Sequence, residues 1–270
     1  MLFNYLLISL CVSIYAYEEI LNSYALNISQ AAYCIKSNDW DCNTCHSSIQ
    51  LLENIENNGV RVINAIDHQH LFIIASFRGS SNIQNWVHNL QVSHIKPYNN
   101  YLDVSVDKGF YNSLTDVREN LYDSLLNLKS IYENYDILIT GHSMGGALAS
   151  LTAFELIYLQ NIKPEKIYLM TFGSPRVGND AFKNYMNIIP LSWRTTHNYD
   201  MVPHLPEAFL DYIHISQEIW YNEENSKYII CNDKENEDKY CSNSCAPTKC
   251  TSIDDHLYYL NISMGNEGLC

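Results

Sequence analysis

The chain has 270 residues, of which 47% are hydrophobic, and its formal net charge is −14 with only 16 Lys and Arg residues. The scattered basic residues exclude an ordinary nucleic-acid partner, because phosphate binding needs clustered Lys and Arg, and an anionic membrane would repel the chain. No repeat or proline-rich linker divides the sequence, and no cluster of metal ligands is apparent in it. We therefore expect one domain over residues 17–270 without a cofactor or a stable protein partner.

The first sixteen residues form an apolar segment without a charged side chain. This segment is shorter than the roughly 20 residues that a transmembrane helix needs, so we predict a signal peptide over residues 1–16 that is cleaved after Ala16. The expected location is extracellular. A secretory-pathway or lysosome-like compartment is the alternative.

The cysteine count agrees with export. Without Cys11 of the predicted signal peptide, an even set remains that suits disulfides: Cys34, Cys42, Cys45, Cys231, Cys241, Cys245, Cys250 and Cys270. The C-x-x-C spacing of Cys42 and Cys45 also occurs in redox and zinc sites, but here it lacks a second such pair and a strand–helix context, which favours a structural bridge. Sequons at Asn27 and Asn261 predict glycosylation.

Strands and helices alternate in the middle of the chain. Residues 61–66 and 71–77 are β-rich runs around a polar turn and predict a hairpin. One helical face is then predicted by three- and four-residue spacing of Leu114, Val117, Leu121, Leu125 and Leu128. A strand at 137–139, a helix at 147–159 and a strand at 167–172 follow, whereas the polar run 222–239 predicts a surface loop. The strand–helix–strand order predicts an α/β fold with a mostly parallel sheet.

The turn inside this unit carries a candidate nucleophile. Gly141-His142-Ser143-Met144-Gly145 matches G-x-S-x-G, in which small residues allow a strained strand-to-helix turn that exposes the serine hydroxyl. Three fixed positions match often by chance. The predicted strand before Ser143 and the helix after it make the catalytic interpretation the better one.

A serine hydroxyl needs a general base that an acid orients, in the chain order serine, acid, histidine for this fold class. The pattern alone does not choose among the histidines that follow Ser143, which are His197, His204, His214 and His256. Asp200 follows a strand-like run at 193–196, whose carboxyl edge can present a carboxylate. Asp254 and Asp255 directly precede His256, which makes it hard for either to reach its ring.

Six blocks of the sequence together resemble the fungal-type class 3 triacylglycerol lipases, from about residue 34 to residue 270. The blocks are Phe77-Arg78-Gly79-Ser80-Ser81, Lys108-Gly109-Phe110, Gly141 to Gly146, Gly173-Ser174-Pro175-Arg176-Val177-Gly178, Asp200-Met201-Val202-Pro203-His204-Leu205-Pro206 and Asp255-His256-Leu257. The resemblance implies an α/β-hydrolase fold with helices on both faces of the sheet. It also implies that Ser143 is the nucleophile, Asp200 the acid and His256 the base, with Ser80 and the Met144 N–H as the oxyanion hole.

The same resemblance implies disulfide pairs. Cys34 would pair with Cys270, Cys42 with Cys45, and Cys231 with Cys241. Cys245 and Cys250 are additional to the family pattern and could close a fourth loop, although exchange with Cys231 or Cys241 is an alternative.

A short amphipathic helix after Ser80 bears on the substrate. Its apolar positions Ile83, Trp86, Val87 and Leu90 follow helical spacing, and this segment resembles the lid of the lipases. An ordinary surface helix is the alternative, but the position beside Ser80 favours a lid that opens at a lipid–water interface.

We therefore predict a secreted serine carboxylester hydrolase, a triacylglycerol lipase that works at lipid–water interfaces through an acyl-enzyme on Ser143, with an acylglycerol or another lipid ester as its substrate. A feruloyl or other soluble-ester esterase and a phospholipase are the alternative enzymes on the same fold. An inactive lipid-binding relative is the alternative outside catalysis, and the complete set of catalytic residues argues against it.

Overall fold

The computed structural model describes residues 17–35, 39–90, 92–215, 217–232, 237–265 and 270. The predicted signal peptide at 1–16 lies outside the described residues. Among the described helices, none combines the length and the apolar character needed to cross a membrane.

An eight-stranded sheet forms the centre of the fold, and a helix precedes it in the chain. The helices are α1 (Glu19–Cys34), α2 (Ile83–Asn89), α3 (Lys108–Ile131), α4 (Met144–Tyr158), α5 (Asp180–Met186) and α6 (Ile253–His256). The strands are β1 (Ile49–Asn57), β2 (Val60–Asp67), β3 (Phe72–Phe77), β4 (His94–Ile95), β5 (Val106–Asp107), β6 (Asp136–His142), β7 (Ile167–Phe172), β8 (Leu191–His197), β9 (Glu218–Tyr221), β10 (Tyr228–Ile230), β11 (Tyr258–Tyr259) and β12 (Ile262–Ser263).

The strand order in the sheet is β1-β2-β3-β6-β7-β8-β9-β10. The five strands from β3 to β9 in this order run parallel, and antiparallel pairs complete both ends. Parallel strands need helical crossovers, and the crossover helices α3, α4 and α5 pack on one face of the sheet, whereas α1 covers the other face. The predicted α/β fold with a mostly parallel sheet is therefore confirmed.

Each face of the sheet has its own apolar core. On one face, α3 and α4 cover the sheet, and the predicted stripe of α3 is buried, as Leu114, Leu121 and Leu125 at 0% exposure show. Residues 145–157 of α4 are all buried, because this helix packs against β3, β6 and β7 and also against α3 beside it. On the other face, α1 packs against β3, β6 and β7.

The predicted hairpin and strand–helix–strand unit are present. β2 pairs with β3 in antiparallel register, and β6, α4 and β7 follow in the predicted order. The prediction of a plain surface loop at 222–239 is wrong, because β10 lies within that run and pairs with β9. Three residues carry too short a pattern to predict a strand, and the hydrogen bonds that define β10 come from β9. The sequence analysis also missed α1 and β1.

Four disulfides tie the described chain together. Their pairs are Cys34–Cys270, Cys42–Cys45, Cys231–Cys241 and Cys245–Cys250. These are the pairs that the resemblance implies, with the fourth closing its own small loop. The Cys34–Cys270 bond joins the last residue of α1 to the last residue of the chain, across a sequence separation of 236.

This long loop predicts a measurable contribution to stability. Replacing both Cys34 and Cys270 by Ala should lower the free energy of unfolding, by at most about 5.5 kcal/mol in the chain-entropy model, because the unfolded chain regains the freedom that the loop removes. The control is the same double replacement of Cys42 and Cys45, which are three residues apart and should matter far less. Urea unfolding curves measure both, and equal losses would contradict the prediction.

Candidate active site

Ser143 lies in a sharp turn between β6 and α4. Its backbone angles are φ 60° and ψ −131°, a conformation that non-glycine residues rarely adopt. The turn leaves no room for side chains beside it. A Cβ at Gly141 would lie 2.4 Å from the Gly145 carbonyl carbon, and one at Gly145 would lie 2.2 Å from the Phe77 carbonyl oxygen. The glycines of G-x-S-x-G therefore let three backbone segments meet around the serine.

His256 and Asp200 form a buried, hydrogen-bonded pair near this turn. The His256 Nδ1–H donates to both Asp200 carboxylate oxygens, at 3.0 and 2.9 Å, because a carboxylate only accepts. Val202 N–H and the Tyr259 hydroxyl donate to the same carboxylate. Burial, followed by the charge of Asp200, raises the pKa of Tyr259 well above its usual value, so the hydroxyl stays a donor. Asp200 is thus held as an acceptor that orients the imidazole.

Two buried polar atoms of the candidate site have no hydrogen-bond partner among the described residues. They are Ser143 Oγ and His256 Nε2, and the two side chains belong to residues that are 1% and 0% exposed. The hydrogen bond to Asp200 places the ring proton on Nδ1 and leaves Nε2 as an acceptor. A serine hydroxyl is the donor that this acceptor needs for nucleophilic catalysis.

Asp255 points away from the imidazole of its neighbour. Its carboxylate accepts from Asn198 Nδ2 and from Tyr199 N–H, at 3.0 and 3.1 Å. These bonds fix the loop after β8 to α6. In the structure, Asp200 therefore contacts the His256 ring, whereas Asp255 holds the loop after β8 against α6.

The remaining candidate histidines have other contacts. His197 meets the Asp255 and Glu223 carbonyls, and His214 donates to the Pro203 carbonyl. His204 lies 3.7 Å from Cys245 Sγ, and burial lowers its pKa to about 4. All three are at the carboxyl side of the sheet, but His256 is the one of the four whose ring hydrogen-bonds to the Asp200 carboxylate.

A chain of hydrogen bonds connects three loops of the site through Tyr33. The His142 Nε2–H donates to the His256 carbonyl at 2.8 Å, so His142 Nδ1 accepts from the Tyr33 hydroxyl at 2.8 Å. The Gly79 N–H in turn bonds to Tyr33. Burial, then the neighbouring His256, lowers the pKa of His142 well below its usual value and keeps its ring neutral. Tyr33 thus joins the segments before Ser80, before Ser143 and at His256.

The expected oxyanion residues flank the serine. A Cβ at Gly79 would lie 3.0 Å from Ser143 Cβ, so the backbone before Ser80 lies against the nucleophile turn. Met144 is the first residue of α4, where backbone N–H groups have no partner within the helix. The Ser80 hydroxyl donates to the Asn82 carbonyl and accepts from the Asn82 N–H, both at 3.2 Å.

Helix α2 follows Ser80 directly. Asn82 caps it by accepting from Asn85 N–H, and the polar residues of the helix are exposed. Ile83 is 8% exposed, Trp86 stacks at 6.2 Å from Phe110, and Val87 and Leu90 are half-buried. The four predicted apolar positions thus point toward the body of the protein.

The two sequons lie in different surroundings. Asn27 is within α1, with Nδ2 3.3 Å from His46, and Ser29 of its sequon is fully buried. Asn261 is exposed in the turn between β11 and β12. Glycosylation of both residues stays a prediction.

Two clusters in the described part of the chain bring metal-ligand atoms together. They are His204 with Cys245 and Cys250, and Glu218 with Cys231 and Cys241. The four cysteines are disulfide-bonded. A disulfide sulfur lacks the thiolate charge that binds a metal, so neither cluster fits a metal centre.

Comparison with known proteins identifies the family. The family described as Lipase (class 3) matches residues 74–210. A lipase from Rhizomucor miehei is 32% identical over 259 residues, covering 92% of this chain and 69% of that protein, and one from Rhizopus niveus is 31% identical, covering 90% and 63%. This chain belongs to the class 3 lipase family. It is thereby placed among the carboxylic ester hydrolases.

A solved structure supports the same conclusion at the level of the fold. It is described as showing that a serine protease triad forms the catalytic centre of a triacylglycerol lipase, and it shares 32% identity with this class 3 lipase. The TM-score is 0.84, with 91% of this chain and 95% of that chain covered. The α/β-hydrolase fold of the class 3 lipase is thus shared with a structurally characterised enzyme.

Sequence reasoning missed Tyr33 and Tyr259 as parts of the site. With 21 tyrosines in the chain, no pattern distinguishes these two. Tyr259 lies three residues after His256, and Tyr33 directly precedes Cys34, but only the folded chain shows their contacts with Asp200 and His142.

Tyr259→Phe tests whether the hydroxyl that bonds Asp200 positions the acid. Removing it leaves the ring packing intact and deprives a buried carboxylate of one donor, so kcat on a soluble ester should fall about tenfold, equivalent to about 1.4 kcal/mol, with KM little changed. Tyr258→Phe is the matched control, because that exposed hydroxyl bonds only Asn261 among the described residues. Equal kcat values for the two variants would refute the positioning role.

Proposed function

We propose that this class 3 lipase is an exported triacylglycerol lipase that forms an acyl-enzyme on Ser143. The observation that carries the proposal is the buried pair of unpaired reactive atoms, Ser143 Oγ and His256 Nε2, with Asp200 on the far side of the ring. An unsatisfied buried polar atom costs about 1–3 kcal/mol, and here two such atoms belong to a serine in a strained turn and to a histidine whose other ring nitrogen is bonded to Asp200.

Acylation follows from this arrangement. Ser143 Oγ attacks the ester carbonyl carbon as its proton moves to His256 Nε2, and Asp200 stabilises the imidazolium without taking its proton. When the ester C–O bond breaks, the His256 proton goes to the leaving alkoxide. Water then donates a proton to His256, attacks the acyl-enzyme, and releases the fatty acid with return of the proton to Ser143.

The oxyanion hole would form from the N–H groups of Ser80 and Met144 and from the Ser80 hydroxyl. These groups border Ser143 from two sides, as the contact at Gly79 and the start of α4 indicate. The Ser80 hydroxyl is bonded to Asn82, the cap of α2, in this structure. Movement of α2 would release that hydroxyl for the tetrahedral intermediate.

A glyceride substrate is supported by the apolar face of α2. Trp86 packs against the apolar core, Ile83 is 8% exposed, and Ser143 is 1% exposed, so we infer that substrate reaches the serine after α2 is displaced. At an oil surface the exposed stripe contacts lipid rather than water, which favours the open state. A feruloyl esterase for soluble substrates would gain nothing from such a stripe, and an inactive lipid-binding relative would not need unpaired catalytic atoms.

Export is supported by the disulfides. Eight cysteines are paired in four bonds, and such bonds persist in oxidising compartments. The apolar residues 1–16 fit a signal peptide, so an extracellular location is part of the proposal.

The roles of the two candidate acids predict a large difference in activity. Asp200→Asn should lower kcat by about 10⁴-fold, as the equivalent replacement does in the serine-protease triad, because His256 loses the carboxylate that holds its tautomer. Asp255→Asn keeps an acceptor for Asn198 and Tyr199 and should cost less than about tenfold. Rates on p-nitrophenyl butyrate are measured relative to Ser143→Ala, and circular dichroism checks folding. A reversed order would exclude Asp200 as the acid.

The proposed lid predicts activation at an interface. Activity on tributyrin should rise sharply once the substrate exceeds its solubility limit, because lipid contact replaces the burial of Ile83 and Trp86. Trp86→Ser should reduce this rise and leave hydrolysis of dissolved p-nitrophenyl acetate nearly unchanged. Initial rates across the solubility limit measure the effect.

The matched control for Trp86→Ser is His88→Ser, which changes an exposed residue of the same helix. It should keep the rise at the solubility limit. Smooth saturation of the unmodified enzyme through that limit, or equal damage to both substrates in Trp86→Ser, would favour a soluble-ester esterase.

A further inference from the structure

An exposed phenylalanine projects from the loop that leads away from Asp200. Phe209 is 83% exposed and lies in a short 3₁₀ turn, Ala208–Leu210, in which Leu210 is 38% exposed. An isolated exposed apolar residue is common on protein surfaces. Phe209 differs because it lies on the loop after Asp200 and because hydrogen bonds hold that loop on both sides of it.

The loop that carries Phe209 is fixed at both ends. On the upstream side, Arg176 Nη1 donates to the His204 and Pro206 carbonyls at 2.7 and 2.9 Å. On the downstream side, the buried Tyr212 hydroxyl donates to Asp107 at 3.0 Å. Because the backbone on both sides of Phe209 is held, covering the ring does not require the loop to be ordered, and this keeps the entropic cost of binding small.

The same loop is tied to the segment that follows the proposed lid. His94 Nε2–H donates to the Leu210 carbonyl at 2.9 Å, and the His94 ring stacks on Tyr212 at 4.0 Å. Val92, two residues before His94, is 37% exposed. Val92, Phe209 and Leu210 therefore belong to one surface, which we call the rim patch, beside the carboxyl end of α2 and on the loop after Asp200.

We propose that the rim patch, with Phe209 as its tip, is a second anchor by which this enzyme binds a neutral lipid surface. The inference rests on the proposed function, because the patch lies on the loop that follows Asp200 and is bonded to His94, just after the proposed lid. A protein partner over this patch would obstruct the ester's path to Ser143, whereas a lipid surface supplies the ester. The patch differs from the proposed lid because its apolar residues are already exposed in the closed state.

The surrounding charges select the kind of lipid. Glu207 and Asp211 flank the turn and are exposed, and the chain carries a net charge of −14. Anionic headgroups would be repelled at this surface, whereas an oil or a zwitterionic phospholipid surface would not. The patch thus fits triglyceride droplets coated with phosphatidylcholine.

Binding is measured without turnover by using the Ser143→Ala protein as the background. Phe209→Ser in this background should weaken flotation with triolein droplets coated with phosphatidylcholine on the order of tenfold, because most of an aromatic side chain loses its lipid contact. The matched control is Ile131→Ser. Ile131 is 61% exposed at the end of α3, near the start of β6 and so at the sheet edge opposite Ser143.

Three further measurements keep binding separate from catalysis. In the active enzyme, Phe209→Ser should hydrolyse dissolved p-nitrophenyl acetate at the original rate, and a parallel loss there would show that the residue serves the site itself. Replacing phosphatidylcholine by phosphatidylglycerol on the droplets should weaken binding of the Ser143→Ala protein that retains Phe209. Stronger binding would overturn the charge argument. Gel filtration that shows a dimer lost in Phe209→Ser would assign the patch to a second copy of the chain.

Equal flotation of Phe209→Ser and Ile131→Ser would overturn the anchor while leaving the proposed activity untouched. Conversely, flotation that depends on Phe209 without activity on triolein would support the anchor and refute the proposed substrate. The two proposals therefore fail in different measurements.

Discussion

The strained backbone of Ser143 is the constraint around which the site is arranged. A residue at φ 60° between a strand and a helix needs its neighbours to approach closely, and Gly141 and Gly145 permit this approach. The turn is held because β6 lies in the middle of the sheet and α4 is buried along most of its length. The apolar cores on the two faces of the sheet thus maintain a backbone conformation that a short peptide would not keep.

The buried hydrogen bonds of Tyr33 extend this constraint to the other loops. Through His142, the hydroxyl links the nucleophile turn to the carbonyl of His256, while Gly79 connects the segment before Ser80. Tyr33 belongs to α1, and the next residue is bonded to the end of the chain. The first described helix and the C-terminal cysteine therefore support a site that is formed by residues far from both in sequence.

The sequence predicted the parts of the fold that local patterns determine. The stripe of α3 and the run of β7 have the spacing of one helical face and of a buried strand, and the turn at Ser143 has its glycines at fixed positions. Patterns of this kind did not distinguish among four histidines, and the choice of His256 came from the resemblance. Tyr259 carries no local signal at all, because its role depends on a contact across 59 residues.

The apolar elements around the site can be understood from the burial of Ser143 and His256. Unpaired Ser143 Oγ and His256 Nε2 cost free energy in the unbound protein, and the proposed reaction needs a site that admits lipid and limits water. If α2 is the proposed lid, its inward apolar face meets this need while the site is closed, but it also hides the residues that would contact an interface first. A fixed apolar element that is always exposed resolves the conflict, because it can hold the enzyme at the lipid before α2 moves. Phe209 has the exposure and the support for this role, and its carboxylate neighbours limit it to uncharged surfaces.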